Sequence, residues 1–215
     1  MSYLISQLKN FIPTIIIDNY RMFKYTLLKE KTLKKWEKNG CPIPPPHVVK
    51  QKIIREYRFK YNLNIFVETG TYLGDMIAAQ KKYFTKIYSI ELSNELWQRA
   101  KKRFERHKNI IILQGDSSLI LEDVVDKLNE PALFYLDGHY SGGITAGSEL
   151  GCPIKNELKA IFRSNIKKHI ILIDDARAFG SEKNYPSLSD LIHFIKSYSP
   201  HSNVEIKHDI IRVTP

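Results

Sequence analysis

The sequence predicts an α/β fold: a doubly wound, mostly parallel seven-stranded sheet with an antiparallel last strand, preceded by a helical N-terminal extension. Beyond a proline cluster, short β-branched runs alternate with helical periods, the rhythm of βαβ units. The first such run opens into a glycine-bearing turn, and the last two are separated only by Lys207-His208-Asp209, as in a hairpin. The chain has 215 residues, 43% apolar and 26% charged. That is the size of one α/β domain with a short appendage and the composition of a packed globular protein.

Residues 1–46 read as the extension and its linker. The early apolar run, Phe11 to Ile17, contains Pro13 and ends at Asp18, far short of the ~20 residues that span a bilayer. No basic n-region precedes it and no small-residue cleavage site follows, so it does not read as a signal peptide. Tyr20 to Lys38 places Met22, Phe23, Leu27, Leu28, Leu33 and Trp36 among Lys and Arg, the pattern of a basic amphipathic helix. Two roles are open to it: packing against the main domain or a second subunit, as in a homodimer, and peripheral contact with an anionic membrane. Cys41-Pro42-Ile43-Pro44-Pro45-Pro46 then forbids a continuing helix, because proline fixes φ and lacks a donor.

Residues 47–215 carry the alternating pattern. Strands are expected at Asn64–Val67, Ile87–Glu91, Ile110–Leu113, Leu133–Asp137 and His169–Ile173, each β-branched or aromatic and each followed by polar residues or Gly. Helices fill the gaps at Asp75–Phe84, Asn94–His107, Ser118–Leu128, Pro153–Arg163 and Ser187–Tyr198. Asn203–Ile206 and Ile210–Val213 close the chain as two strands.

Lys and Arg number 33 against 23 Asp and Glu, a formal charge of +10. Such an excess suits nucleic acid, an anionic membrane, phosphate-bearing substrates or a plain solvated surface. The basic residues are spread along the chain and not gathered around aromatic platforms, so nucleic acid is not the expected partner. Cys41 and Cys152 are too far apart in sequence to suggest a disulfide framework or a zinc site, and a reducing, cytoplasmic compartment is expected.

The chemistry concentrates after the strands. Glu68-Thr69-Gly70-Thr71-Tyr72-Leu73-Gly74 is the turn beyond the carboxyl end of the first strand, where a doubly wound fold seats a nucleotide. Its glycines are four apart, not in a G-x-G-x-x-G spacing, and the preceding Glu68 suits a cationic, phosphate-free ligand better than a pyrophosphate. Glu91, in Ser89-Ile90-Glu91-Leu92-Ser93, ends the next strand, where an acid can accept both hydroxyls of a ribose. In Gln114-Gly115-Asp116-Ser117-Ser118, Asp116 either meets an adenine amino group or caps the following helix.

These three ordered motifs resemble the class I S-adenosylmethionine-dependent methyltransferases, a Rossmann-like family, over residues 60 to 213. Glu68-x-Gly70-x-Tyr72-x-Gly74 is similar to the family's E-x-G-x-G-x-G turn with its middle Gly replaced, as in catechol O-methyltransferase-like members. The resemblance implies S-adenosyl-L-methionine as cofactor, with Glu68, Gly70, Thr71, Tyr72 and Gly74 around its methionine end. Glu91 and Leu92 would hold the ribose, Asp116 and Ser117 the adenine, and Asp137 would border the reacting end.

The fourth and fifth strands carry their own acids, in Leu136-Asp137-Gly138-His139-Tyr140 and Ile173-Asp174-Asp175-Ala176-Arg177. Converging carboxylates repel one another unless a cation joins them. By resemblance to catechol-type enzymes, Asp137, Asp174 and Asp175 are expected to hold a divalent cation, Mg2+, that orients a substrate hydroxyl. The other reading has Asp137 capping a loop and Asp174 or Asp175 pairing with Arg177. Those enzymes place a lysine three residues after the first metal Asp, where this chain has Tyr140, so His139 is the candidate general base and Asp137 its catalytic neighbour.

Ser141 to Ser148 reads as a lid or a surface loop, Glu157 as a solvated first-turn acid or one pointing back into the cleft, and Arg177 with Tyr185-Pro186-Ser187 as substrate contacts or scaffold. The Leu-Asp-Gly-His-Tyr-Ser-Gly-Gly and Ile-Asp-Asp-Ala-Arg segments look similar to sugar O-methyltransferases, macrocin-type and surface-polysaccharide enzymes among them. They point to a glycan or glycosylated small molecule as substrate. Three rivals compete: a nicotinamide-dependent oxidoreductase, an RNA methyltransferase, and a binding module with a vestigial pocket. The oxidoreductase lacks its G-x-G-x-x-G turn and Tyr-x-x-x-Lys pair, and the RNA enzyme its Pro-Pro-Tyr motif.

Overall fold

The computed structural model describes residues 28–137, 152–182 and 185–215. The chain divides into two compact units, Met1–Val49 and Lys50–Pro215. In the first, helix α1 spans 28–38. It ends where Gly40 takes φ 78, while the amides of Gly40 and Cys41 return to the carbonyls of Glu37 and Trp36, a left-handed helix stop. The Trp36 indole donates to the Pro42 carbonyl at 2.8 Å.

Helix α2, His47–Lys60, begins at the end of the proline cluster and was not expected from the sequence. Its stripe Lys50, Ile53, Ile54, Tyr57 follows the i, i+3, i+4, i+7 spacing, with Ile53 and Ile54 buried.

The second unit is built on one sheet of seven strands: β1 Ile65–Thr69, β2 Lys86–Glu91, β3 Ile110–Gln114, β4 Ala132–Leu136, β5 Ile170–Ile173, β6 Asn203–Lys207 and β7 Ile210–Thr214. Their order is β3-β2-β1-β4-β5-β7-β6. The first five are parallel, and β7 pairs antiparallel with both β5 and β6. The mixed sheet with a closing hairpin is thus the expected one.

Strands β1, β4, β5 and β7 are buried along their whole length, which is why they read as continuous apolar runs without alternation. β6, at the sheet edge, is largely exposed. Helices α3 Asp75–Gln80, α4 Asn94–Phe104, α5 Ser117–Val125, α6 Ile154–Arg163 and α7 Leu188–Tyr198 connect the strands.

Local chemistry sets the helix ends. Ser93, Asp116 and Ser187 each stand before a helix and accept a backbone amide from its first turn, those of Leu96, Ser118 and Asp190. Three helices stop three residues or more before the sequence suggests. α3 ends at Gln80 because the Thr85 amide must reach the Asn64 carbonyl to begin β2, and Phe84 turns inward to meet Phe66 at 5.1 Å between ring centroids. α4 and α5 give way to tight turns, with His107 donating to the Phe104 carbonyl and Leu128 to that of Val125. Among the described residues no helix is long and apolar enough to cross a membrane.

Candidate functional site

The strand order reverses between β1 and β4, the switch point beyond which a doubly wound sheet opens a crevice at its carboxyl end. The Asp137 amide donates to the Thr69 carbonyl at 3.2 Å there, tying the tips of these two strands together.

On the β1 side the chain turns through left-handed positions, Gly70 at φ 81, Tyr72 at φ 49 and Gly74 at φ 76. At Gly74 a Cβ would lie 2.7 Å from Cε2 of Phe104, so glycine is required by both φ and space. The Glu91 carboxylate holds this turn: its Oε2 accepts from the Tyr72 amide at 2.7 Å, its Oε1 from the Ser93 amide at 2.9 Å. Glu91 is buried, and among the described residues no cation pairs with it. Each carboxylate oxygen retains a second lone pair, the donor-set chemistry that a ribose diol needs. Leu92 contributes its carbonyl to the Gln114 amide group at 3.2 Å.

Glu68, next to last in β1, is buried. Ser89 Oγ donates to its Oε2 at 2.8 Å, and the Thr71 hydroxyl lies 2.6 Å from the same Ser89 oxygen. Burial pushes the Glu68 carboxyl well above the usual carboxylate range; the Ser89 bond opposes this, and Asp137 and Glu91 add to it. Asp116 caps α5, its Oδ1 accepting from the Ser118 amide at 2.8 Å, and Ser117 begins the helix buried. The capping role open to Asp116 is therefore occupied, and it leaves the other carboxylate oxygen for a ligand.

The β4–β5 side is built differently. Asp174, with no exposed surface, accepts at Oδ2 from the Tyr135 hydroxyl at 2.5 Å and from the Lys50 ammonium. Lys50 reaches it from α2 and lies 3.4 Å from Asp175 Oδ1. Asp175, at φ 55, also accepts from Arg177 at 2.9 Å. Arg177 in turn pairs with Asp209 of the β6–β7 turn, which also accepts the Arg177 amide at 2.8 Å and gives its carbonyl to Ala176. Burial works against the Lys50 charge, but Asp174, Asp137 and Asp175 outweigh it and hold the ammonium protonated above its ordinary range. Burial and the like charges of Asp137 and Asp175 push the Asp174 carboxyl up to about 7, although Lys50 opposes them.

The three expected metal ligands therefore do not fit a divalent cation. Among the described residues no group of three His, Cys, Asp or Glu is placed to hold one. The oxygens of Asp174 and Asp175 that face the cluster are taken by Lys50, Tyr135 and Arg177, and a metal there would displace an ammonium already seated between two carboxylates. The pairing of Asp175 with Arg177 is the alternative that the sequence left open, and it makes Arg177 part of the scaffold.

Glu157 is buried on α6, which rules out the solvated one of its two readings. His139 and the Ser141–Ser148 stretch lie outside the described residues. Lys50 and Asp209 were missed: Asp209 stood only as a spacer between two strands, and Lys50 lay in a helix not foreseen. Its place at the head of an apolar i, i+3, i+4, i+7 stripe was the available signal, since a lysine on a buried face needs a partner.

No protein-family model matches the chain, and no curated protein matches it in sequence. Solved structures share its fold. It is similar to an O-methyltransferase of Bacillus cereus in complex with SAH, at 12% identity and a TM-score of 0.56, over 87% of this chain and 90% of that one. It is also similar to the O-methyltransferase TomG of Streptomyces achromogenes in complex with SAM, at 11% identity and a TM-score of 0.53, over 89% and 93% of the two chains. The N-methyltransferase NodS of Bradyrhizobium japonicum, bound to S-adenosyl-L-homocysteine, matches at 11% identity and a TM-score of 0.51, over 85% and 97%. Because enzymes that methylate oxygen and nitrogen both share this fold, the fold leaves the acceptor atom open.

Proposed function

We propose, from the premise that this chain has the fold of the class I S-adenosylmethionine-dependent methyltransferases, that it methylates a hydroxyl oxygen of a glycan or glycosylated small molecule. The observation that carries the cofactor reading is Glu91, a buried carboxylate at the tip of β2, fixed by two backbone amides beside a left-handed glycine turn, its charge not cancelled by a cation. An acid so held accepts a ribose diol and favours a cationic ligand. When bound, a sulfonium donor supplies an activated methyl carbon.

The chain's own residues then do three things. Glu91 and the Gln114–Ser117 turn orient the nucleoside. Glu68 and Asp137 border the sulfonium end. His139 takes the acceptor's hydroxyl proton, with Asp137 beside it in sequence, so that the oxygen attacks as its charge develops. Support for an oxygen acceptor comes from the resemblance of the Leu136–Gly143 and Ile173–Arg177 segments to sugar O-methyltransferases.

Calorimetric titration with S-adenosylmethionine, its demethylated product and NADH tests the cofactor reading. Saturable binding of the first two and none of NADH is expected; a preference for NADH would end it. Methyl transfer from labelled cofactor into a glycan panel, and not into amines or RNA, tests the acceptor class.

A further inference from the structure

We propose that Lys50 occupies the place a divalent cation would take among Asp137, Asp174 and Asp175, so that the acceptor half of the site works without a metal and the lysine offers its remaining N–H to the acceptor oxygen. The second part rests on the reading of β4–β5 as the acceptor side; the first stands without it.

Lys50 is no loose surface lysine. Its side chain is only 14% exposed, and it projects from a helix anchored by buried Ile53 and Ile54. Its Nζ bonds Asp174 Oδ2 and sits 3.4 Å from Asp175 Oδ1, and the charge of Asp137 also bears on it. That is the position from which a cation would bridge the tips of β4 and β5.

A hard divalent ion takes six or more oxygen ligands. Here Asp174 Oδ2 already accepts from both Lys50 and Tyr135, and Asp175 Oδ1 from both Lys50 and Arg177. A metal entering with the ammonium in place would set three positive charges within a few ångströms, a strongly unfavourable arrangement in a buried site.

An ammonium has three donors. Asp174 and Asp175 take two, and among the described residues the third has no acceptor. Asp174 Oδ1 is likewise buried and without a hydrogen-bond partner among the described residues. The cluster thus carries one donor and one acceptor that its own members do not fill. Asp174 Oδ1 is sealed from any ligand, so the Lys50 N–H is the group left for an acceptor hydroxyl, and a fixed positive charge beside that hydroxyl eases its deprotonation.

The test is Mn2+ titration followed by electron paramagnetic resonance, on the full-length protein and on Lys50→Met and Lys50→Arg. Wild type and Lys50→Arg should leave Mn2+ free. Lys50→Met, with a unit charge removed from beside the carboxylates, should bind one Mn2+ on the order of a hundredfold more tightly. A purely structural lysine would give no such gain, and its absence in a folded Lys50→Met protein overturns the proposal.

The wild-type arm needs no variant: line broadening of the Asp174 and Ala176 amides by stoichiometric Mn2+ would also overturn it, and sharp lines support it. Calorimetry with S-adenosylhomocysteine, run in parallel, separates the two failures. Lack of binding there sinks the cofactor reading and leaves the metal result standing.

Discussion

On the β1–β3 side, Glu91 and Asp116 accept from backbone amides and Glu68 from a serine hydroxyl. On the β4–β5 side, Asp174, Asp175 and Asp209 accept from Lys50 and Arg177. Neutral donors fix a carboxylate without cancelling its charge, whereas cationic donors fix and cancel it together. Glu91 and Asp116 therefore keep a negative field on the first edge, suited to a sulfonium, whereas on the second Lys50 and Arg177 offset the charge of two of the three carboxylates, which suits an uncharged hydroxyl better. One row of strand tips can thus serve two ligands of different charge.

The strongest way to break this contrast is to remove the cation from the second edge. Lys50→Met leaves Asp174 buried and unpaired, and urea unfolding should show a loss of about 3 kcal/mol, within the range for breaking buried pairs. A loss below ~0.5 kcal/mol would place Lys50 among ordinary surface lysines.

On the first edge the cost should fall on the ligand. Glu91→Ala is expected to weaken S-adenosylhomocysteine binding by roughly a hundredfold, about 2.7 kcal/mol, measured by calorimetry. Undiminished affinity would show that the negative edge is not where the nucleoside is held.

The opposite end of β5 sharpens the comparison, because its titratable group is neutral. His169 accepts the Ala132 amide at Nδ1, 3.1 Å away, and its Nε2 lies 3.2 Å from the Ser164 hydroxyl. Burial, with Lys167 nearby, lowers its pKa to about 4. The folded value lies below the unfolded one of ~6.5, so the unfolded chain binds more protons between those limits. Stability should be full above pH ~6.5 and fall as pH drops toward about 4. Allowing for partial exposure, the contribution is about 2 kcal/mol. Denaturant midpoints across this range should show the slope, and His169→Asn should flatten it.

The smallest effect belongs to Asp116. As a helix cap it contributes about 1 kcal/mol, so Asp116→Ala should lower the melting temperature slightly. If the same variant also weakens nucleoside binding, the cap and the ligand contact are one residue's two roles.

How far the sequence could be read follows this division. The seven strands, the glycine turn and the capping role open to Asp116 were legible because each depends on residues a few positions away, as when Asp116 bonds Ser118; the caps at Ser93 and Ser187 were not singled out. Helix ends were overdrawn at α3, α4 and α5, since periodicity continues past the point where the next strand's first hydrogen bond pulls the chain into a turn. Glu157 was left between solvent and interior because a first-turn acid suits both equally in one dimension, and the structure buries it.

By itself the sequence determined the βαβ order, the closing hairpin and the row of acids at the strand tips, because hydrophobic period and turn chemistry are local properties. Only the tertiary structure decided what those acids hold. Lys50 stands 124 positions from Asp174, and Arg177 32 from Asp209. Charge pairing acts through space, and the partner of a buried carboxylate is chosen by which helix packs against its strand.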